Sequence, residues 1–178
     1  MIGVEINAEQ LRRKALQLGA TDDIVKKAMR STAAKMQSYT RTRSGRELAD
    51  ALKIKRSIVR KRIRLRARKY DGKQVSAPVW YGINAVRLID LNAKRAPGGV
   101  RAMADRYVPG AFIAPGRNGR YQVFKRTTRA RTPLMKIAVD IAEGSTDYLQ
   151  GMIDGAEYGQ KFIDIFAHEI EWRMQKLT

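Results

Sequence analysis

Residues 60–72 read RKRIRLRARKYDG, and the periodicity of the chain changes inside them. Up to Lys61 apolar residues recur at helical spacing. From Arg62 onward Arg62, Arg64, Arg66 and Arg68 alternate with Ile63, Leu65 and Ala67, the two-residue period of a strand with one apolar and one cationic face. The spacing predicts a strand over 62–69, an arginine ladder on it, and a turn at Asp71-Gly72. A chain that is helical before this point and extended after it reads as α+β.

Downstream, VSAPVWYGI reads as a second strand with Pro78 at an edge or a bulge, and VRLIDL as a third extended segment. NAKRAPGG reads as a flexible basic loop and VRAMADRY as a strand beyond it. AFIA and YQVFKR are two further apolar strands, joined by PGRNGR, in which Asn118-Gly119 tolerates positive φ in a tight hairpin. These glycines serve backbone geometry: no Gly-Lys-Ser/Thr follows, and no helix opens there as a phosphate loop requires.

Upstream, Asn7 is placed to cap a first helix through Leu11, Ala15 and Leu18, which Gly19 stops. Thr21 restarts the pattern, with Asp22 and Asp23 in the first turn and a stripe of Ile24, Ala28, Met29, Thr32, Ala33 and Met36. TRTRSGR is expected to end this helix, and further turns run through Leu48, Leu52 and Ile58. At the other end Ser145 is expected to cap one long helix whose stripe is Leu149, Ile153, Ala156, Ile163, Phe166, Ile170, Met174 and Leu177. Gly151, Gly155 and Gly159 stand four apart in it, which fits either a broken first half or close backbone contact with another element.

The whole 178-residue chain reads as one domain: a basic helical part over 1–61, a mostly antiparallel sheet over 62–141, and a C-terminal helix over 145–177. Its formal charge is +19, distributed as +3 over 1–40, +11 over 41–73, +2 over 74–100, +8 over 101–136 and −5 over 137–178. That polarity implies a polyanionic or acidic partner and two unlike surfaces. Cysteine is absent, which excludes disulfides, thiolate metal sites and a cysteine nucleophile. The start lacks the pattern of a signal peptide, and no run of 18 apolar residues predicts a membrane span.

Catalytic constellations do not emerge. His168 is the single histidine and stands beside Glu169, but a helical zinc motif needs a second histidine where Trp172 stands. No GxSxG elbow accompanies it. Asp147, Asp154, Asp164 and Glu171 scatter around the final helix as a solvated face rather than a Mg²⁺ site. The expectation is a chain that is no enzyme, with no catalytic, cofactor or metal residues.

The strongest electrostatic feature is Arg60, Lys61, Arg62, Arg64, Arg66 and Arg68, together with the cations just before them. Such a face neutralises phosphates without reading bases, and the only nearby aromatic, Tyr70, does not supply a stacking platform. Duplex backbone is the expected nucleic-acid partner. An acidic patch on a neighbouring subunit explains the same charges equally well.

The run VPGAFIAPGRNGRYQVFKR, followed by RTPLMKIAVDI and preceded by IKRSIVRKRIRL, resembles the minor tail protein Z family of lambda-like long-tailed phages and prophages, over roughly 54–141. The family pattern falls on Pro109, Gly110, Ala111, Phe112, Ile113, Gly119, Val123, Phe124, Arg126 and Pro133, as fold and assembly residues. The resemblance implies a structural virion protein, assembled in the host cytoplasm, that completes the head-proximal end of the tail and takes part in head-tail joining. It implies a six-fold homo-oligomeric ring around the DNA channel, with tail tube, tail terminator and head-closure proteins as partners. A free, sequence-independent nucleic-acid-binding protein is the alternative.

Overall fold

A computed structural model describes residues 5–71 and 74–176. The chain is α+β: helices first, then antiparallel strands, then helices again. Strand β1 (Glu5–Asn7) leads into helix α1 (Glu9–Gln17), α2 (Asp22–Ala51) and α3 (Arg56–Lys61). Strands β2 (Ile63–Leu65), β3 (Lys69–Tyr70), β4 (Gln74–Ser76), β5 (Val79–Tyr81) and β6 (Val86–Arg87) follow, then a 3₁₀ turn over Leu88–Leu91. Next come β7 (Lys94–Ala96), β8 (Gly99–Ala102), β9 (Arg106–Pro109), β10 (Ala111–Pro115), β11 (Tyr121–Arg126), β12 (Leu134–Lys136) and β13 (Ala138–Val139). Helices α4 (Ala142–Asp154) and α5 (Ala156–Gln175) close the fold.

The expected N-terminal helices, antiparallel strands and long C-terminal helix are present. The strands over 62–141 pair as small sheets of two or three strands rather than as one, and β1, which periodicity does not reveal, pairs with β4. Short strands joined by tight turns leave no room for a continuous ladder.

Helix α2 is the spine. At 30 residues it is about 45 Å long, and it passes through two hydrophobic clusters. One cluster is helical: Ala15 of α1, Val25, Ala28, Met29 and Met36 of α2, Leu149 of α4, and Phe162, Phe166 and Ile170 of α5. The other joins Leu48 and Ala49 of α2 to Val59, Ile63, Val79, Val86, Leu88, Leu91, Val100 and Val123. Tyr81 and Tyr148 pack against both.

TRTRSGR does not end α2. Thr40 and Ser44 turn their hydroxyls to the carbonyls one turn back, at 2.8 and 2.5 Å, and are buried. Thr40 also bonds Tyr158 Oη at 2.5 Å and Ser44 bonds Tyr81 Oη at 2.9 Å, so polar residues are satisfied without leaving the helix. The side chains of Arg60 and Ile63 fold over Gly45. Beyond Ala51, Arg106 reaches from β9 to the carbonyls of Leu52 and Lys53 at 2.8 and 2.9 Å, meeting the negative helix end with a cation.

Several local elements differ from expectation. Asn7 ends β1, and Ala8 is the residue before α1. Thr21 does cap α2, accepting from the Ile24 amide at 3.4 Å. VRLIDL is β6 plus the 3₁₀ turn, because Leu88 and Leu91, three apart, are both buried. NAKRAPGG contains β7, hairpinned onto β8, and VRAMADRY is two strands with a turn at Ala104 and Asp105, both at positive φ. Gly99 is required there: a Cβ would stand 2.3 Å from the Val108 carbonyl oxygen. Of the expected Asp71-Gly72 turn, Gly72 lies outside the described residues. The flanking β3 and β4 pair as a hairpin, and Asp71 accepts from the Gln74 amide at 2.8 Å.

The β10–β11 hairpin carries the family-like motif. Phe112 faces Phe124 across the ladder with ring centroids 6.2 Å apart, and Ile113 faces Val123. Gly119, at φ +72, closes the loop after a turn in which its amide bonds the Gly116 carbonyl at 2.9 Å. Gly110 is also at positive φ, between Pro109 and the buried Ala111. Arg126 places its guanidinium 5.9 Å from the Phe112 ring centre, and the Pro133 carbonyl accepts from Thr127.

The final helix is broken. Ser145 is no cap: α4 already begins at Ala142, and Ser145 is buried within it. At Gly155 the backbone turns extended (φ −67, ψ 131), and α5 starts afresh. The break shifts the buried face of α5 to Tyr158, Phe162, Phe166, Glu169 and Ile170, leaving Ala156 and Ile163 exposed. Leu177 lies outside the described residues. Of the two readings of the spaced glycines the break holds: nothing described comes within 4 Å of a Cβ built at Gly151 or Gly159. No helix among the described residues is long and apolar enough to cross a membrane.

Candidate nucleic-acid interface

The basic segment forms a face along one side of α2. Strand β2 spans only Ile63–Leu65, so the arginines predicted as one ladder separate into three environments. Arg62 terminates α3 and donates to the carbonyls of Gly82, Asn84 and Ala85. It is a clamp on the β5–β6 turn. Arg64 faces Trp80 across β2–β5, its guanidinium 5.6 Å from the ring centre. That aromatic, sixteen residues away in sequence, is one that reading adjacent residues misses.

Arg66 and Arg68 extend from the irregular segment between β2 and β3 and are exposed. The segment is held by its backbone: the Arg66 amide donates to the Pro78 carbonyl at 3.1 Å, and Gln37 Nε2 donates to the carbonyls of Arg66 and Pro78, each at 2.8 Å. Buried Gln37 therefore bolts α2 to the point where the chain passes from β4 to β5. Leu65, expected on an apolar face, is exposed beside these arginines.

On one side of this bolt, Arg41, Arg46, Arg56 and Arg60 line a cleft of about 450 Å³ with Ser38, Thr42 and Leu65. On the other, Arg30, Arg68 and Lys69 meet Tyr70 around a second cleft of about 460 Å³. Arg30 and Arg41 are eleven residues apart on α2, which is about 16 Å along the axis. Close approach of α3 to Gly45 is what sets Arg60 opposite Arg41.

Charge balance separates these groups. Arg56 pairs with Asp50 at 3.2 Å and Arg46 lies 3.6 Å from Glu47. Among the described residues, Arg30, Arg41, Arg60, Lys61, Arg66 and Arg68 have no carboxylate partner. An open row of permanently charged, unneutralised guanidiniums is suited to a series of phosphates, each contact releasing counterions. Arg41 and Arg46 are not among the expected phosphate-facing residues, because their convergence on Arg60 depends on α2 continuing past Ser44.

The partnered carboxylates are held by neighbouring donors. Glu47 accepts from Tyr148 Oη at 2.7 Å and from Arg43 Nε at 3.1 Å, and these bonds hold its carboxyl below the usual range. Burial raises the Tyr81 phenol to about 12, partly offset by its bond to Ser44. Burial would raise Glu169, but Lys35 at 2.5 Å and Arg173 outweigh it and hold the carboxyl below its ordinary value. His168 is exposed on α5, and among the described residues no group of three or more His, Cys, Asp or Glu converges as a metal site.

Comparison with family models, curated proteins and solved structures finds no match to this chain.

Proposed function

We propose that this chain is a structural virion protein that completes the head-proximal end of a long phage tail and takes part in head-tail joining, with its cationic face toward duplex DNA. The observation that carries the DNA contact is the row of guanidiniums without carboxylate partners on both sides of Gln37, above all Arg41 and Arg60. The tail assignment is supported by the sequence resemblance over 54–141. Most of its motif residues fall in the β10–β11 hairpin, where Phe112 packs on Phe124 and Ile113 faces Val123. Assembly as a ring would bring many copies of a weak, non-specific face to one DNA, so that modest contacts add.

The open clefts also suit a free, sequence-independent binder, since none of the described residues covers them. Two measurements separate the readings. Mass spectrometry of purified tails is expected to find the protein, and the isolated chain is expected to bind duplex weakly, without sequence preference and less as salt rises. Absence from tails, with tight duplex binding at physiological salt, replaces the tail reading with the free binder.

A further inference from the structure

A second surface lies between α1 and α5. Helices α1 and α5 flank an open groove of about 490 Å³ whose floor is Ala15, Phe162, Phe166 and Ile170. Leu18 and Ile163 rise at its edges, 71% and 44% exposed. Gly159 adds depth, since no described atom lies within 4 Å of where its Cβ would be. A leucine this exposed beside a continuous apolar floor is not accounted for by the fold of one copy.

The rim carries one charge of each sign, on opposite sides. On the α5 side Glu171 lines the groove with no cationic partner among the described residues. On the α1 side Lys14 is the one cation among the lining residues. The complementary surface lies elsewhere on the same chain. Strand β12 is an edge strand paired only with β11, and its Leu134 and Met135 are 40% and 49% exposed. From Arg117 to Lys136 the chain carries seven cations and no carboxylate. Arg129 and Arg131 stand immediately before Leu134, exposed.

We propose that the α1–α5 groove is the seat for the β12 edge of a second copy: Met135 enters the apolar floor, Leu134 packs against its edge, and Arg129, Arg131 and Lys136 lie toward Glu171. Groove and insert are different surfaces, so the contact is heterologous and propagates from copy to copy. It rests on the assembly reading only for the closure of such contacts into a ring.

The absence of native cysteine gives a direct test. Ile163→Cys and Met135→Cys, both at exposed positions, are prepared as separate full-length proteins, checked for native thermal melting, mixed and oxidised without DNA or tail proteins. The expected product is a 163–135 cross-link between copies. Its yield should rise with concentration, fall several-fold when Glu171→Lys is added to the groove copy, and recover when Arg131→Glu is added to the other. Leu18→Glu should abolish it. A 163–163 cross-link in place of 163–135 would overturn the proposal in favour of a two-fold contact through the groove itself. No intermolecular cross-link from micromolar to millimolar protein would equally overturn it. Duplex binding of the same variants is read separately, so loss of the cross-link with DNA binding intact removes the joint, and the converse removes the DNA contact.

Discussion

Between Asp22 and Met36, α2 turns Val25, Ala28, Met29 and Ala33 into a cluster of helices, whereas from Gln37 to Ala51 its inward positions include Thr40, Ser44 and Gly45, and its neighbours are α3 and short strands. The first half is held mainly by apolar packing, with the Lys35–Glu169 pair and the Arg173–Ser31 bond at its margin. The second is held by named hydrogen bonds from Gln37, Thr40 and Ser44, each to a partner distant in sequence. Apolar packing tolerates sliding by a few tenths of an ångström, while a buried hydroxyl has one partner or none. The polar half is therefore where the register between helix and strands is fixed, and it is also where the arginine cleft forms.

The largest expected effects remove one buried ring from the helical cluster and one from the hairpin. Phe166→Ala in the helical cluster and Phe124→Ala in the hairpin should each cost roughly 3–5 kcal/mol, with Phe112→Ala costing less because its ring is half-buried. Thermal and denaturant melts check this, and equal costs for Phe112 and Phe124 would contradict their unequal burial. Ser44→Ala should cost about 1–3 kcal/mol by leaving the Tyr81 phenol unpaired. If Thr40→Ala and Ser44→Ala both melted like the parent, the seam would not be fixing register.

Glu169 sharpens the comparison by pH. Its folded carboxyl lies below its unfolded value, so its contribution is present above the ordinary glutamate range and is lost as pH falls through the folded value. Glu169→Gln should cost roughly 1–2 kcal/mol at neutral pH and progressively less in acid, read as converging melting curves of parent and variant. The arginines divide next. Arg62→Gln should lower stability by about 1 kcal/mol through its lost carbonyl bonds. Arg60→Gln, Arg41→Gln and Arg68→Gln should leave melting unchanged and reduce the salt slope of duplex binding by about 0.9 for each phosphate no longer neutralised. The smallest effect is Ser145→Ala, near zero or slightly stabilising, because among the described residues the Ser145 hydroxyl is buried without a partner.

Periodicity made the α+β class, the restart at Thr21, the β10–β11 hairpin and the positive φ of Gly119 legible, since each depends on residues within a few positions of one another. What failed depended on distant contacts. TRTRSGR reads as a helix end by propensity, but Tyr81 and Tyr158 keep Thr40 and Ser44 helical. The final stripe is out of phase because Gly155, one of three similar glycines, alone takes the extended backbone. Of the expected phosphate-facing set, Arg60, Lys61, Arg66 and Arg68 are open, Arg64 lies over Trp80, and Arg62 is occupied by carbonyls. A two-residue period registers which side a residue takes, not whether its charge is already engaged.

Helix α2 carries one further consequence. Val25 and Met29 anchor the cluster beneath the groove, and Gly45 lies at the arginine cleft, on a single unbroken helix. From Met29 to Gly45 is sixteen residues, about 24 Å of rod. The helix thus acts as a gauge: whatever seats in the groove and whatever lies along the arginines are kept at one separation in every copy. The repeat distance of an assembly built on those two surfaces would then be set by the length of a helix rather than by the flexible lengths of its loops.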